Sequence, residues 1–345
     1  MKYLITGGCG FVGSNIAAEL IERGEPVTVF DNMARNGTAA NLAWLRSLGA
    51  VEFVHGDTRN RFDVEELLRQ QEPEVIFHLA GQVAMTTSMR SPRKDFEINV
   101  LGSINLLEAA REFTPKAAIV YASSNKVYGT LPLLNLVEDA TRYRPYPAAA
   151  GVDESAPLEF HTPYGCSKGA ADQYMLDYAR GFGLNTVVFR HSTIYGGRQY
   201  STFDQGWVGW FCRQALEQRA HPGRPRFTIS GDGKQVRDLL HVSDAVRCYL
   251  AAAEHIAEAR GEAFNIGGGE ENSMSLLELF AFLEERLSVK LEYDRLPWRH
   301  SDQKYFVANN AKATRLLGWQ PLTGKADGIQ TVLHWEEKTG AGFFN

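Results

Sequence analysis

The chain of 345 residues is long enough for one large domain with an appended lobe, and an apolar share of 44% supplies a sizeable core. With 36 Lys+Arg against 41 Asp+Glu, a net charge of −5 excludes a globally basic nucleic-acid binder while leaving room for a local basic pocket. Cys9, Cys166, Cys212 and Cys248 are scattered without a C-x-x-C pair, so neither a metal site nor a disulfide framework is expected, and a reducing cytoplasm fits.

The chain opens with Lys2 ahead of an apolar stretch, which superficially resembles a signal peptide. Gly7, Gly8, Gly10 and Gly13 break the stretch, no A-x-A site follows, and no uncharged apolar run reaches the length of a membrane span. A soluble protein with no membrane partner is expected. From there β-branched and aromatic runs alternate with helical patterns. Strands are predicted over 2–6, 26–30, 51–55, 75–79, 117–122 and 185–189, and helices over 12–23, 64–70, 96–112 and 164–182. This alternation implies right-handed crossovers and an α/β fold with a doubly wound parallel sheet. The stretch 129–163 is weakly periodic and is expected to be a lid loop. After about residue 195 the rhythm changes to short strands near 226–230 and 263–266, with helices near 242–259, 275–287 and 328–339, which predicts a smaller C-terminal α/β lobe over 196–345.

The run Thr6-Gly7-Gly8-Cys9-Gly10-Phe11-Val12-Gly13 follows the first strand and opens the first helix. Glycines at 7, 10 and 13 allow a tight turn, close approach of backbone to a pyrophosphate and close helix packing, which is the dinucleotide-binding pattern of a Rossmann domain. Asp31 closes the next strand, where a carboxylate accepts hydrogen bonds from ribose hydroxyls and repels a 2′-phosphate. NAD is therefore expected over NADP, although nearby Arg35 weakens the preference. Asp57 and Leu79-Ala80-Gly81 stand at strand ends where ligands bind in such sheets, or are ordinary turn residues.

Tyr164 and Lys168 are four residues apart on one helix, so a phenol and an ammonium share a face. A tyrosine of pKa about 10 is a poor base at neutral pH, but a lysine and a positive nicotinamide both favour its ionised form, allowing it to take a proton from a sugar hydroxyl. Ser123 and Ser124 end the fifth strand and offer hydroxyls that share a proton with Tyr164 or merely cap a turn.

Together these residues resemble the extended short-chain dehydrogenase/reductase family, which includes nucleotide-sugar epimerases and dehydratases. The likeness covers essentially the whole chain. It implies catalysis by Ser124, Tyr164 and Lys168, and NAD bound by Gly7, Gly10, Phe11, Val12, Gly13, Asp31, Asn32, Arg35, Asp57, Leu79, Ala80, Gly81, Gln82, Asn99, Ala122, Ser123, Tyr164, Lys168 and His191. It also implies an NAD-binding Rossmann domain over 1–195 and a mainly nucleotide-sugar-binding lobe over 196–345.

Narrower likenesses lie in His78–Ser88, Asn125–Gly129 and the tryptophan-rich Phe203–Phe211, which are similar to family members that epimerise C2 of a CDP-linked deoxyhexose. They imply substrate contacts from Val83, Met85, Thr86, Ser124, Asn125, Arg190, Gln205, Gly206, Trp207, Arg237 and Arg299, the last two as diphosphate ligands. His191 is read either as a nicotinamide neighbour or as a structural histidine. A C4 epimerase, a C2 epimerase of CDP-glucose, GDP-mannose or UDP-glucose, and a non-catalytic NAD(H) sensor stay open. A dehydratase is disfavoured because Asn125-Lys126 stand where such enzymes carry an acid. A homo-oligomer, dimer or tetramer, is expected through the helices 96–112 and 164–182.

Overall fold

The computed structural model describes residues 1–340; the last five residues of the expected second lobe lie outside the described residues. Seven strands form the main sheet: β1 (Tyr3–Thr6), β2 (Val27–Asp31), β3 (Glu52–His55), β4 (Val75–His78), β5 (Ala118–Ser124), β6 (Asn185–His191) and β7 (Ala263–Ile266). Their spatial order is β3-β2-β1-β4-β5-β6-β7, every neighbour parallel. The central strands β1, β2 and β4 are buried along their whole length, so they read as continuous apolar runs rather than alternating ones.

Helices α1 (Phe11–Glu22), α2 (Thr38–Leu48), α3 (Arg61–Gln71), α4 (Gly102–Phe113), α5 (Thr162–Gly181), α6 (Trp207–Ala220), α7 (Val242–Glu254), α8 (Leu276–Leu287) and α9 (Lys325–Gly340) complete the frame. On one face of the sheet Ile16, Leu20, Leu45 and Leu250 from α1, α2 and α7 pack over Val29, Phe77 and Phe189. On the other, Leu67, Leu106 and Met175 from α3, α4 and α5 pack over Ile76 and Ile119. Helix α2 was not predicted. Its Gly37 N-cap has a left-handed backbone and its core face is short, so periodicity alone does not reveal it.

Two expectations are corrected. The segment 242–266 is not part of a separate lobe: α7 joins the core beneath α1, and β7 extends the main sheet beside β6. Conversely, Thr193–Tyr195, placed in the first domain, pairs with Val236–His241 of the second. The chain therefore crosses between the halves several times. The second half has its own core, in which Phe211, Phe227 and Phe280 meet Leu283, Ile329 and Val332. The stretch 129–163, expected as a lid loop, is not a bare loop but is anchored at several points. It folds a small hairpin of Leu136–Glu138 with Tyr143–Pro145, Arg142 forks onto Glu278 at 2.8 Å through both Nε and Nη2, and the Val152 N–H bonds to the Val307 carbonyl at 2.7 Å.

Candidate functional site

Strand order reverses at the carboxyl ends of β1 and β4, where two chain segments part and leave a crevice. The glycine-rich turn fits this point closely. Gly7 has φ +70°, and a Cβ there would lie 2.8 Å from the Ala80 nitrogen; at Gly13 a Cβ would lie 2.4 Å from the Gly7 carbonyl oxygen. Any side chain at either position forces β1, β4 and α1 apart. No side chain caps the first turn of α1, so its backbone donors are left for an anion. Asp31 is held in place by the Cys9 N–H on Oδ2 (3.1 Å) and the Met33 N–H on Oδ1 (2.8 Å). Asn32 donates to Asp57 (2.8 Å), and Arg59 with Asn32 holds the Asp57 carboxyl down at about 2. Phe11, Val12 and Arg35 flank the turn and the Asp31 loop, and burial lowers the Arg35 pKa. These residues fit the adenosine and pyrophosphate of NAD, and the Asp31 carboxylate disfavours a 2′-phosphate.

Behind the crevice, Gln82 and Asn99 serve differently from expectation. Asn99 accepts the Gln82 N–H (2.9 Å) and donates to the Gln82 carbonyl and to Ser167 Oγ (2.9 Å), with Asp95 close by. Its amide is spent inside the protein. It sits in a π-turn, Glu97–Leu101, which pushes that amide out of register toward the Gln82 loop. Asn99 thus shapes the loop 79–82 rather than offering a free group to a ligand.

A cleft of about 300 Å³ is lined by residues of both halves of the protein. There Ser124, Tyr164 and Lys168 converge. Tyr164 bonds to Ser124, and Lys168 Nζ donates to the Ala122 carbonyl (2.9 Å) beneath Gly81. Helix α5 brings Tyr164 and Lys168 to one face, as their spacing predicts, and β5 delivers Ser124. The electrostatics differ from expectation. Burial raises the Tyr164 pKa to about 12, opposed by the Ser124 hydrogen bond, while burial lowers Lys168 to about 8. The Lys168 ammonium is turned to the Ala122 carbonyl and toward Gly81. A cation bound against the phenol is what this site needs to ionise it.

Val83, Met85, Asn125, Gln205, Gly206, Trp207, Arg237 and Arg299 line the cleft as expected. The Trp207 indole is anchored by a bond to Thr193 Oγ1 (3.1 Å), so its ring is fixed against the cleft. Thr86 stands at the mouth, where its hydroxyl bonds to Asp204 across the two halves (2.8 Å). Asn125 is less free than its place suggests, since its amide donates to Gln303 (2.8 Å).

Three expected residues are turned away. Arg190 is 4% exposed and does not line the cleft; its Nε and Nη2 are each 2.9 Å from Asp172 and its Nη1 is 2.9 Å from the Tyr128 hydroxyl, so its guanidinium is committed inside the protein. Ser123 donates to the same Asp172 (2.8 Å) and does not share a proton with Tyr164. His191 lies under the Tyr249 hydroxyl (3.1 Å), and burial drops its pKa to about 3; it is a neutral structural histidine. Asp172 was the missing signal: a carboxylate in the middle of α5 looks like a surface residue until β6 is known to lie beside it.

Other lining residues were not assigned by the sequence reading. Lys126, Asp302, Asp204, Trp210 and Gln235 all face the cleft, and Trp210 Nε1 and Gln235 Oε1 are buried there without a protein partner. Among the described residues no cluster of His, Cys, Asp and Glu could hold a metal ion, and no helix is long and apolar enough to cross a membrane.

A model of the NAD dependent epimerase/dehydratase family matches residues 3–267. The CDP-paratose 2-epimerase of Salmonella typhi is 55% identical over 335 residues, covering 97% of this chain and 99% of that protein. Among solved structures, the UDP-glucose 4-epimerase of Thermotoga maritima with UDP-glucose superposes with a TM-score of 0.84 at 30% identity, covering 98% of this chain and 99% of the other. The Thermus thermophilus UDP-glucose 4-epimerase complex with NAD gives 0.80 at 28% identity, with 98% and 99% covered.

Proposed function

The chain belongs to the NAD dependent epimerase/dehydratase family, and from that premise we propose that it inverts C2 of a CDP-linked deoxyhexose, converting CDP-paratose to CDP-tyvelose. The observation that carries the reading is one cleft lined by both the Ser124–Tyr164 pair and the arginines Arg237 and Arg299. That lining suits a sugar hydroxyl at the pair and a diphosphate at the arginines. The sugar and base follow from the 55% identical relative.

Bound NAD supplies the hydride acceptor and donor for C2, and its positive ring favours the Tyr164 phenolate. Tyr164 takes the proton from the C2 hydroxyl and returns it after the sugar has turned over. Ser124 stays hydrogen-bonded to the same oxygen as it becomes carbonyl and then alcohol. Lys168, held by Ala122, orients the cofactor ribose and keeps positive charge near the phenol. Trp207 gives the sugar a flat apolar wall, which tolerates either face of the ring. No acid stands beside the sugar at residue 126, which supports epimerisation over loss of water.

In this reading the first half binds NAD through the glycine turn and Asp31, and the second half holds the nucleotide sugar. Two copies pair through α4 and α5 and the residues flanking them, where Phe96 and Leu101 before α4, Tyr174 on α5 and Phe182 just after it are exposed. Free Cys9, Cys212 and Cys248 are buried and Cys166 is exposed, which suits the reducing cytoplasm.

The test is proton NMR of the purified protein, without added NAD, on CDP-paratose deuterated at C2. Inversion at C2 with the deuterium retained is expected. An untouched C2 overturns the substrate, and inversion with loss of deuterium to solvent overturns the redox mechanism.

A further inference from the structure

Lys126, Arg237, Arg299 and Asp302 meet in the lining of the cleft, and at Asp302 the cations outnumber the carboxylate. Lys126 Nζ donates to Asp302 Oδ1 (3.2 Å), and Arg237 Nη2 donates to the same oxygen (2.9 Å). Arg299 lines the cleft close enough to act on both Lys126 and Asp302. Two cations therefore share one carboxylate oxygen and Arg299 stands as a third cation nearby, while the Asp204 carboxylate also lines the cleft and Asp238 acts on Arg237 from behind. The side chains of Lys126, Arg237 and Asp302 are only 18%, 12% and 15% exposed, so water does little to offset the surplus. A ligand bringing two negative charges neutralises it, and the diphosphate of a nucleotide sugar carries that charge.

Lys126 is also coupled to the chemistry. Ser124 Oγ accepts the Lys126 backbone N–H (3.1 Å), so the hydroxyl facing the reacting oxygen and the root of the lysine belong to one tight turn, Asn125–Tyr128. In a nucleotide sugar the β-phosphate sits on C1, with C2 as the next ring atom and C4 across the ring. A cation that grips the β-phosphate from the same turn as Ser124 presents C2 to Tyr164 and keeps C4 away.

We propose that Lys126 is a positioning residue that gives up Asp302 for the β-phosphate and so seats C1 beside Ser124 and Tyr164. Arg237 and Arg299 hold the rest of the diphosphate. The inference rests on the C2 reading above, with Asp302 as the internal stand-in that occupies the lysine until the ligand arrives.

Calorimetric titration of the NAD-loaded protein with CDP and with CMP tests it, because only CDP carries a β-phosphate. Lys126→Met should weaken CDP roughly 30-fold and CMP less than about twofold, and Lys126→Arg should restore most of the loss. Asp302→Asn should tighten CDP roughly fivefold, since no carboxylate then competes; a misfolded variant would do the opposite. Equal losses for CDP and CMP, an unchanged CDP affinity in Lys126→Met, or weaker CDP binding by an Asp302→Asn protein whose thermal unfolding matches the wild type each overturn the role of Lys126. UDP and UMP run in parallel separate this from the substrate reading: a wild-type preference for UDP, with the Lys126 effect confined to UDP over UMP, sinks the cytidine assignment and leaves Lys126 on the β-phosphate.

Discussion

The cofactor and substrate ends of the site are built on opposite principles. At the cofactor end the chain has already satisfied itself: Asp31 is tied by two backbone N–H groups, Asn99 spends its amide on Gln82 and Ser167, and His78 sits neutral between Thr6 and Ser103. Affinity there comes from backbone geometry, above all the close contact of Gly7 with Ala80. At the substrate end charges are held in surplus around Asp302, so binding is completed only when an anion arrives. A cofactor retained through every cycle suits a prebuilt cradle. A substrate that must come and go suits a site whose internal partner can be exchanged.

The strongest way to break this comparison is at the point where the two ends meet. Tyr164→Phe should lower kcat by about 10³-fold with NAD content unchanged, measured by turnover and by absorbance of the released cofactor. A comparable loss of NAD would mean that the phenol belongs to the cradle. Next in size is Arg190→Met, which strands the Asp172 carboxylate beneath the sheet. It should cost about 3–5 kcal/mol in chemical denaturation while leaving the substrate KM of the folded fraction near that of the wild type. A rise in KM with stability intact would return Arg190 to the substrate end.

Asp31→Ala sharpens the cofactor side. It should weaken NAD by about 100-fold and narrow the NAD/NADP ratio, read by fluorescence titration; an unchanged ratio would mean that Asp31 does not discriminate against the 2′-phosphate. The smallest effect is on pH. Burial lowers both His78 and His191 to about 3, well below the ordinary 6.5. The unfolded chain therefore binds more protons between those values, so stability is complete above about pH 6.5 and falls as the pH drops toward 3. The slope is up to about 1.4 kcal/mol per pH unit for each imidazole. His78→Asn should remove roughly half of that slope in denaturation curves taken between pH 7 and 5, whereas an unchanged slope would show that His78 is not buried neutral.

The cofactor end was legible in the sequence because it is local. Gly7, Gly10, Gly13 and Asp31 lie on one strand–turn–helix–strand unit, and Tyr164 and Lys168 on one helix, so steric need and spacing leave their mark within a few dozen residues. Residues 129–163 lacked periodicity because they are held by contacts far along the chain, such as Arg142 with Glu278 and Val152 with Val307, which sequence spacing does not record. Strand β7 carried a readable strand signal, but its partner β6 lies more than seventy residues earlier in the chain, and only the fold shows that the two pair.

The sequence by itself therefore determined the doubly wound sheet, the tight glycine turn between β1 and α1, the acidic residue closing β2, and the shared helix face of Tyr164 and Lys168. Each of these rests on backbone sterics or on helical spacing among near neighbours. Only the tertiary structure decided how the charges are allotted: Arg190 to Asp172 rather than to a sugar, and Lys126 and Arg237 to one oxygen of Asp302. Ionic partners are chosen by proximity in the folded core, where desolvation makes an unpaired charge costly, and two residues far apart in the chain carry no mark of that pairing until the fold brings them together.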